Sequence, residues 1–281
     1  MSYSNKPAIP ERRRLLPSAL LILPAVALGV MTMIQHGISP LLWGQQLAAW
    51  AALALLAQML RRVRISSGFG GLLMLLVLAA SLLGEEVDGA RRWLELGIFN
   101  VNAAMLVLPV LLVTLCAMKC PHPALLAAAA ILCVQPDLSQ LTALSAAAMP
   151  IVWHHRKEKL WLCGSILMLL VFMVCCMLSP VSVAPVEYCE GILTMLNESS
   201  PLLMCAGVIA LVAIPACFAY GFFRRRQTPL LVLAVYYTVT LGFILTGEYP
   251  VPFMGFGLSP IAGYYLAYNC HAMTDQNEIA G

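Results

Sequence analysis

Residues 121–153 read PHPALLAAAAILCVQPDLSQLTALSAAAMPIVW, a stretch in which Asp137 is the only acidic or basic side chain apart from histidine. Two apolar runs, 121–135 and 138–153, meet there, and each is shorter than the roughly 20 residues that a straight membrane span needs. Pro136 separates them because proline lacks the backbone N–H that a continuing helix requires. The stretch predicts two short tilted spans or one re-entrant helical hairpin buried against protein. Either arrangement returns the chain to the side of the membrane that it left.

The rest of the chain is equally apolar. Of 281 residues, 61% are hydrophobic and only 10% are Asp, Glu, Lys or Arg, whereas soluble proteins have about 25% charged residues. So few charges cannot cover a water-facing surface. The composition excludes a soluble enzyme, a disordered protein and a nucleic-acid-binding domain, and it predicts an integral membrane protein.

Hydropathy divides the sequence into ten apolar runs, which predict an all-α polytopic protein with about ten transmembrane segments. No stretch remains for a soluble domain, so we interpret residues 1–281 as a single transmembrane domain. The runs cover 15–35, 41–60, 68–84, 98–118, 121–135, 138–153, 160–180, 201–223, 229–247 and 251–270.

The basic residues predict the orientation of these segments. Fourteen of the sixteen Lys and Arg residues fall in the tail 1–14 and in alternate connections, which by the positive-inside rule are cytoplasmic. Both tails, 1–14 and 271–281, are then cytoplasmic, and the loop 181–200 lies on the outer side. A cleavable signal peptide ending near Ala25-Val26-Ala27 is an alternative for the N-terminus, but the apolar run continues without a break to Ile34.

Asp137 is the first candidate for a functional residue. A carboxylate at membrane depth is costly, so its default interpretation is functional. The alternative is structural: the side chain caps the helix that begins at Leu138 by accepting hydrogen bonds from its free amides. The two roles can coexist.

Arg91 and Arg92 are the two basic residues that break the charge rule. Their guanidinium groups suit phosphate oxygens, and the neighbouring Trp93 suits the membrane interface. The alternative is a local ion pair with Glu95 or Asp88, which contributes little if it is solvated.

Three separated stretches together resemble motifs of the SEDS family (shape, elongation, division and sporulation; RodA/FtsW-like proteins). Residues 89–97, GARRWLELG, are similar to the family's G-A-x-R-W-L-x-L-G, and residues 135–138, QPDL, are similar to the start of Q-P-D-x-G-T. Residues 252–259, PFMGFGLS, resemble a degraded P-F-[IV]-S-Y-G-G-S. Their order, their spacing and the ten segments agree with the family.

The resemblance implies a peptidoglycan glycosyltransferase of the bacterial cytoplasmic (inner) membrane, which polymerises lipid II at the outer face in cell wall synthesis, cell shape or cell division. It implies membrane lipids and a single-span penicillin-binding transpeptidase as partners, and no nucleic acid. The resemblance places Asp137 at the position of the family's essential aspartate. It also makes Asp137 a candidate ligand for a divalent cation such as Mg²⁺ or Mn²⁺. The implied substrate-binding residues are Arg91, Arg92, Trp93, Gln135 and Ser259.

The sequence also departs from the family. Residues 102–105 replace the family's Q-P-S-E, and Leu108 stands where the family has a lysine. The outer loop 181–200 is much shorter than the family's. These losses leave two alternatives open: a catalytically lapsed scaffold that binds a transpeptidase or a lipid-linked precursor, and a flippase for lipid-linked sugars, which would use the helix break at Pro136.

Overall fold

The computed structural model describes residues 15–60, 66–97, 99–155, 159–179 and 183–280. The N-terminal tail 1–14 and most of the basic residues that predict the orientation lie outside these ranges. The helices of the described part are α1 (Leu15–Gln35), α2 (Pro40–Leu60), α3 (Ser67–Ala80), α4 (Ala103–Cys116), α5 (His122–Val134), α6 (Leu138–His154), α7 (Lys159–Met177), α8 (Ile192–Ser199), α9 (Pro201–Arg225), α10 (Thr228–Phe243) and α11 (Leu258–Ala280).

The predicted all-α, polytopic membrane architecture is confirmed, since each of the ten apolar runs contains a helix. Within the described ranges, four helical stretches are long and apolar enough to cross a membrane: Pro40–Leu60, Lys159–Met177, Pro201–Arg225 and Thr228–Thr246. The short hairpin is also present, because α5 has 13 residues, α6 has 17, and the two helices pack against each other. The loop 181–200, which the sequence predicts to be on the outer side, contains the additional short helix α8.

The fourth apolar run differs from the prediction at its start. Its first residues form strand β2 (Phe99–Asn102), which pairs antiparallel with β1 (Trp93–Leu96). Gly97, with a φ of 66°, supplies the left-handed backbone of the turn. The helix begins only at Ala103, because Asn102 acts as its cap: the Asn102 side chain accepts a hydrogen bond of 3.0 Å from the amide of Met105.

Helix α4 lies at the centre of the bundle, between α3, α10 and α11. Twelve of its fourteen residues are buried. In contrast, α7 and α9 expose large apolar side chains, such as Leu160 at 88% and Leu202 at 81%. Exposed apolar surface of this extent is expected where lipid chains rather than water cover the protein.

A buried glutamine fixes the loop that leads into α11. Gln46 of α2 is fully buried, and its amide nitrogen donates hydrogen bonds of 3.0 Å to the carbonyl oxygens of both Phe253 and Gly255. Its amide oxygen accepts a hydrogen bond of 3.0 Å from the backbone N–H of Gly257. One side chain therefore satisfies backbone groups that the irregular loop 251–257 would otherwise leave unpaired.

Two further segments hold the same loop. The backbone N–H of Phe256 donates to the carbonyl of Tyr188 at 2.9 Å, and that of Val251 donates to Cys189 at 3.2 Å. Helix α1 approaches from the other side, where a Cβ atom on Gly29 would lie 2.0 Å from the Met254 carbonyl oxygen. The loop is thus enclosed by α1, α2 and the segment before α8.

We predict that Gln46→Leu destabilises the protein by about 2–4 kcal/mol, because it leaves buried backbone groups without partners. Gln45→Leu is the matched control, since Gln45 is only half-buried and next in sequence. Thermal unfolding of both variants in the same detergent measures the difference. Equal melting temperatures for the two variants would contradict the role of Gln46.

Candidate functional site

Arg92 reaches the turn between α5 and α6 from the β-hairpin. Arg92 directly precedes β1. Its carbonyl oxygen accepts a hydrogen bond of 3.1 Å from the N–H of Ala103, the first residue of α4. This backbone contact fixes where the side chain starts. Only 8% of Arg92 is exposed, so the guanidinium group lies inside the protein.

Asp137 is the cap of α6, as the structural interpretation predicted. Its Oδ1 atom accepts hydrogen bonds from the backbone N–H of Gln140 at 3.2 Å and from the hydroxyl of Ser139 at 2.9 Å. Its own N–H donates to the carbonyl oxygen of Leu132 at 3.1 Å, across the break at Pro136. The residue is 2% exposed, and Oδ1 is therefore fully occupied by the helix that follows.

Arg92 and Asp137 form a buried pair. The Arg92 Nε atom lies 3.8 Å from Asp137 Oδ2 and donates a hydrogen bond of 3.3 Å to the carbonyl oxygen of Gln135. The Nη2 atom donates to the carbonyl oxygen of Pro136. The guanidinium group thus neutralises the carboxylate and also binds the two free carbonyls of the turn, which a helix break leaves without intrahelical donors.

Gln135 joins this turn to α3. Its buried amide donates to the carbonyl oxygen of Leu78 at 3.2 Å and to the hydroxyl of Ser81. Among the described residues, its amide oxygen has no partner. The Gln-Pro-Asp turn is therefore held by three elements: the β-hairpin, α3 and α6.

Ser259 connects the third sequence stretch to the first. Its hydroxyl, near the start of α11, accepts a hydrogen bond of 2.8 Å from the backbone N–H of Asn102. Asn102 is the strand partner of Trp93, which directly follows Arg92. Of the predicted site residues, Arg92, Gln135 and Asp137 are in mutual contact, and Ser259 and the half-buried Trp93 are tied to them through the hairpin.

Arg91 lies apart from this cluster. Its side chain is 51% exposed and pairs with Glu86 at 3.1 Å, so the predicted local partners, Glu95 and Asp88, were wrong. The tight turn at Asp88 and Gly89, both with positive φ, brings Glu86 back beside Arg91. Glu95 instead interacts with Glu85, and the hydrogen bond between the two side chains raises the pKa of Glu95 above its usual range.

Two tyrosines complete the surroundings, and the sequence motifs did not indicate either. Tyr236 of α10 donates a hydrogen bond of 2.7 Å to the side-chain oxygen of Gln140. Tyr249, in the loop after α10, is half-buried; burial, followed by the negative charge of Asp137, raises its pKa to about 12, and the Arg92 charge opposes this shift. Tyr249 lies three residues before the third stretch, and this nearness is the only sequence signal for it.

The side chains near Asp137 that could act as metal ligands do not form a cation site by themselves. Within the described ranges, no three His, Cys, Asp or Glu side chains are grouped closely enough to hold a metal ion. Asp137 Oδ1 already has two donors, and Oδ2 faces the positive charge of Arg92. A divalent cation prefers several oxygen ligands, so phosphate oxygens of a substrate would have to supply most of them.

Comparison with solved structures identifies the fold. A crystal structure of the rod shape determining protein RodA from Thermus thermophilus superimposes with a TM-score of 0.64, at 19% identity, over 93% of this chain and 96% of RodA. An Asp-to-Ala variant of RodA gives the same TM-score at 21% identity, over 93% and 97% of the two chains. The chain has the RodA fold.

The RodA fold confirms the SEDS-like architecture that the three stretches predicted. No protein-family model matches the sequence, and no curated protein matches it either. The likeness therefore lies in the arrangement of the helices and extends over nearly the whole of both chains.

The adjacent arginines provide a test of the buried pair. We predict that Arg92→Gln destabilises the protein by about 3–5 kcal/mol, because the buried Asp137 carboxylate loses its counter-charge. Arg91→Gln should cost less than about 1 kcal/mol, since its pair with Glu86 is exposed. Thermal unfolding in one detergent compares the two variants, and a larger loss for Arg91→Gln would overturn the assignment.

Proposed function

We propose that this protein is a SEDS-like peptidoglycan glycosyltransferase that polymerises lipid II. The observation that carries the proposal is the buried Arg92–Asp137 pair at a proline-broken turn within a RodA fold. A carboxylate and a guanidinium group at membrane depth are costly, and such groups usually mark functional sites. Acid–base chemistry beside a pyrophosphate is a use that needs both.

Asp137 is the proposed general base. Its Oδ2 atom accepts the proton from a sugar hydroxyl of the acceptor as that oxygen forms a bond to the anomeric carbon of the donor. The bond between that carbon and the pyrophosphate oxygen breaks, and the lipid pyrophosphate leaves with its electron pair. Oδ2 is suited to this task because the helix cap uses Oδ1, and among the described residues only Arg92 lies beside Oδ2, at 3.8 Å.

Arg92 is the proposed group that stabilises the leaving pyrophosphate. Nε and Nη2 donate to backbone carbonyls of the turn, and no described residue bonds to Nη1. That nitrogen keeps two N–H groups for phosphate oxygens. A positive charge held at the site before the reaction stabilises the negative charge that develops on the leaving group.

The proposed reaction takes place at the outer face of the membrane. The protein lies in the bacterial inner membrane with cytoplasmic termini, and the turn at Asp137 faces the outer side, where lipid-linked sugars are polymerised. A single-span transpeptidase is the expected partner, and Mg²⁺ or Mn²⁺, if used, would bind through substrate phosphates as well as Asp137. Trp93, Gln135 and Ser259 would shape the site, and Arg91 would act only at its exposed margin.

A non-enzymatic role is the second candidate, and specific contacts favour it. Asp137 is 2% exposed and caps α6, so its conformation is explained without a substrate. The family's glutamate and lysine positions are taken by Met105 and Leu108, which are buried in the core of the bundle. In this case the protein is a scaffold that binds a transpeptidase or a lipid-linked precursor.

We predict that the purified full-length chain in liposomes converts labelled lipid II to polymer, and that Asp137→Asn lowers the rate by about 10²–10⁴, the usual contribution of a general base. Asparagine also caps helices well, so α6 should be retained. Glu85→Gln, which removes an exposed carboxylate, should leave the rate unchanged. The assay is run with and without Mg²⁺ or Mn²⁺.

The outcomes separate the candidates. Polymer from the wild type and from Glu85→Gln but not from Asp137→Asn supports the enzyme. No polymer from folded wild-type protein under any cation condition, together with stable binding of a single-span transpeptidase, establishes the scaffold. Movement of lipid II between leaflets without polymer indicates a flippase.

A further inference from the structure

A basic cavity lies at the end of the bundle opposite to Asp137. Helix α6 begins just after Asp137 and ends at His154, and the cavity opens beside His154 with a volume of about 530 Å³. It is formed where α6 ends, α9 ends, α10 begins and α11 passes. The charge distribution predicts that this end is cytoplasmic.

The lining of this cavity is suited to an anion. Among the side chains that the structure describes, two arginines and three histidines line it and no acidic residue does; the five are His154, His155, Arg225, Arg226 and His271. Thr228, the first residue of α10, also lines it.

An apolar groove continues from the basic cavity. This second cavity, of about 520 Å³, shares His154 and Thr228 with the first and is otherwise lined by apolar side chains of α6, α7, α9 and α10. Trp153 and Ile166 on its wall are 63% and 37% exposed, so the groove is open on the side where lipid chains would surround the bundle.

One contact links the two cavities. The guanidinium group of Arg226 lies over the ring of Phe222, 5.8 Å from its centre. Arg226 lines the basic cavity and Phe222 lines the apolar groove. The left-handed backbone of Arg226, with a φ of 58°, ends α9 there and turns the side chain back over the helix.

We propose that the two cavities together bind one anionic glycerophospholipid, with its phosphate among the arginines and histidines and an acyl chain in the groove. A free phosphate would use only the basic cavity, and an uncharged lipid only the groove. The adjoining pair matches a molecule that has both parts. Basic pockets between helices on the cytoplasmic side are a recognised form of anionic-lipid site. This site is independent of the proposed polymerase chemistry, since it lies at the other end of α6.

Native mass spectrometry of the full-length chain in detergent tests the site. Dioleoylphosphatidylglycerol and dioleoylphosphatidylcholine are titrated separately, and we expect the anionic lipid to bind at least tenfold more tightly. The double variant Arg225→Gln/Arg226→Gln should weaken its binding roughly 30-fold, at about fivefold for each positive charge removed. Arg224→Gln is the matched control, because Arg224 is exposed and does not line either cavity; its affinity should stay within about twofold of the wild type.

A second variant tests the groove. Ile166→Trp fills the groove from a partly exposed position. It should weaken the binding of the anionic lipid without changing the basic cavity. Glycerol 3-phosphate, which has the headgroup phosphate but no acyl chain, should compete at least about 100-fold more weakly than the lipid. Equal binding of the two lipids, equal effects of Arg224→Gln and the double variant, or competition by glycerol 3-phosphate as strong as by the lipid would each overturn the proposal.

Discussion

The positive charge of Arg92 is what allows the α5–α6 turn to exist inside the bundle. A helix that breaks at Pro136 leaves the carbonyl groups of Gln135 and Pro136 without intrahelical donors and brings a buried carboxylate with it, in surroundings where each unpaired group costs several kcal/mol. Arg92, which belongs to the β-hairpin region, donates hydrogen bonds to two of these carbonyl groups and places its positive charge beside Asp137. The short hairpin, its cap and the proposed chemistry all depend on this one side chain.

The arginine is in turn held by a chain of backbone contacts that crosses the bundle. Its carbonyl fixes the start of α4, the neighbouring Asn102 binds the hydroxyl of Ser259 at the start of α11, and the loop before α11 is fixed by Gln46. Regions far apart in sequence thus converge through hydrogen bonds as well as through the apolar packing of the core. Since lipid removes much of the hydrophobic drive between helices, directed polar contacts of this kind are expected to specify the arrangement.

The helices and part of the candidate site could be predicted from the sequence. Apolar runs fix the helices because membrane spans must satisfy their own backbone groups, and the cap role of Asp137 follows from its place after proline. The strand at Phe99–Asn102 was missed because an apolar run does not distinguish a strand from a helix at its edge. The partner of Arg91 could not be predicted because it depends on the turn at Asp88 and Gly89. The place of Tyr249 near Asp137 depends on the tertiary structure, which the local spacing of residues does not encode. The pairing of Arg92 with Asp137 was not predicted: the family resemblance gave the two residues separate roles, and their contact depends on how the β-hairpin packs on the α5–α6 turn.

The length of α5 has a consequence for the membrane itself. Thirteen helical residues rise only about 20 Å, whereas the hydrocarbon layer is about 30 Å thick. The turn at its end therefore lies below the level of the surrounding headgroups unless the bilayer becomes thinner beside it. Lipids with longer chains would place the Gln-Pro-Asp turn deeper, and lipids with shorter chains would bring it nearer to water. The thickness of the host membrane thus becomes a variable that sets how accessible this carboxylate is.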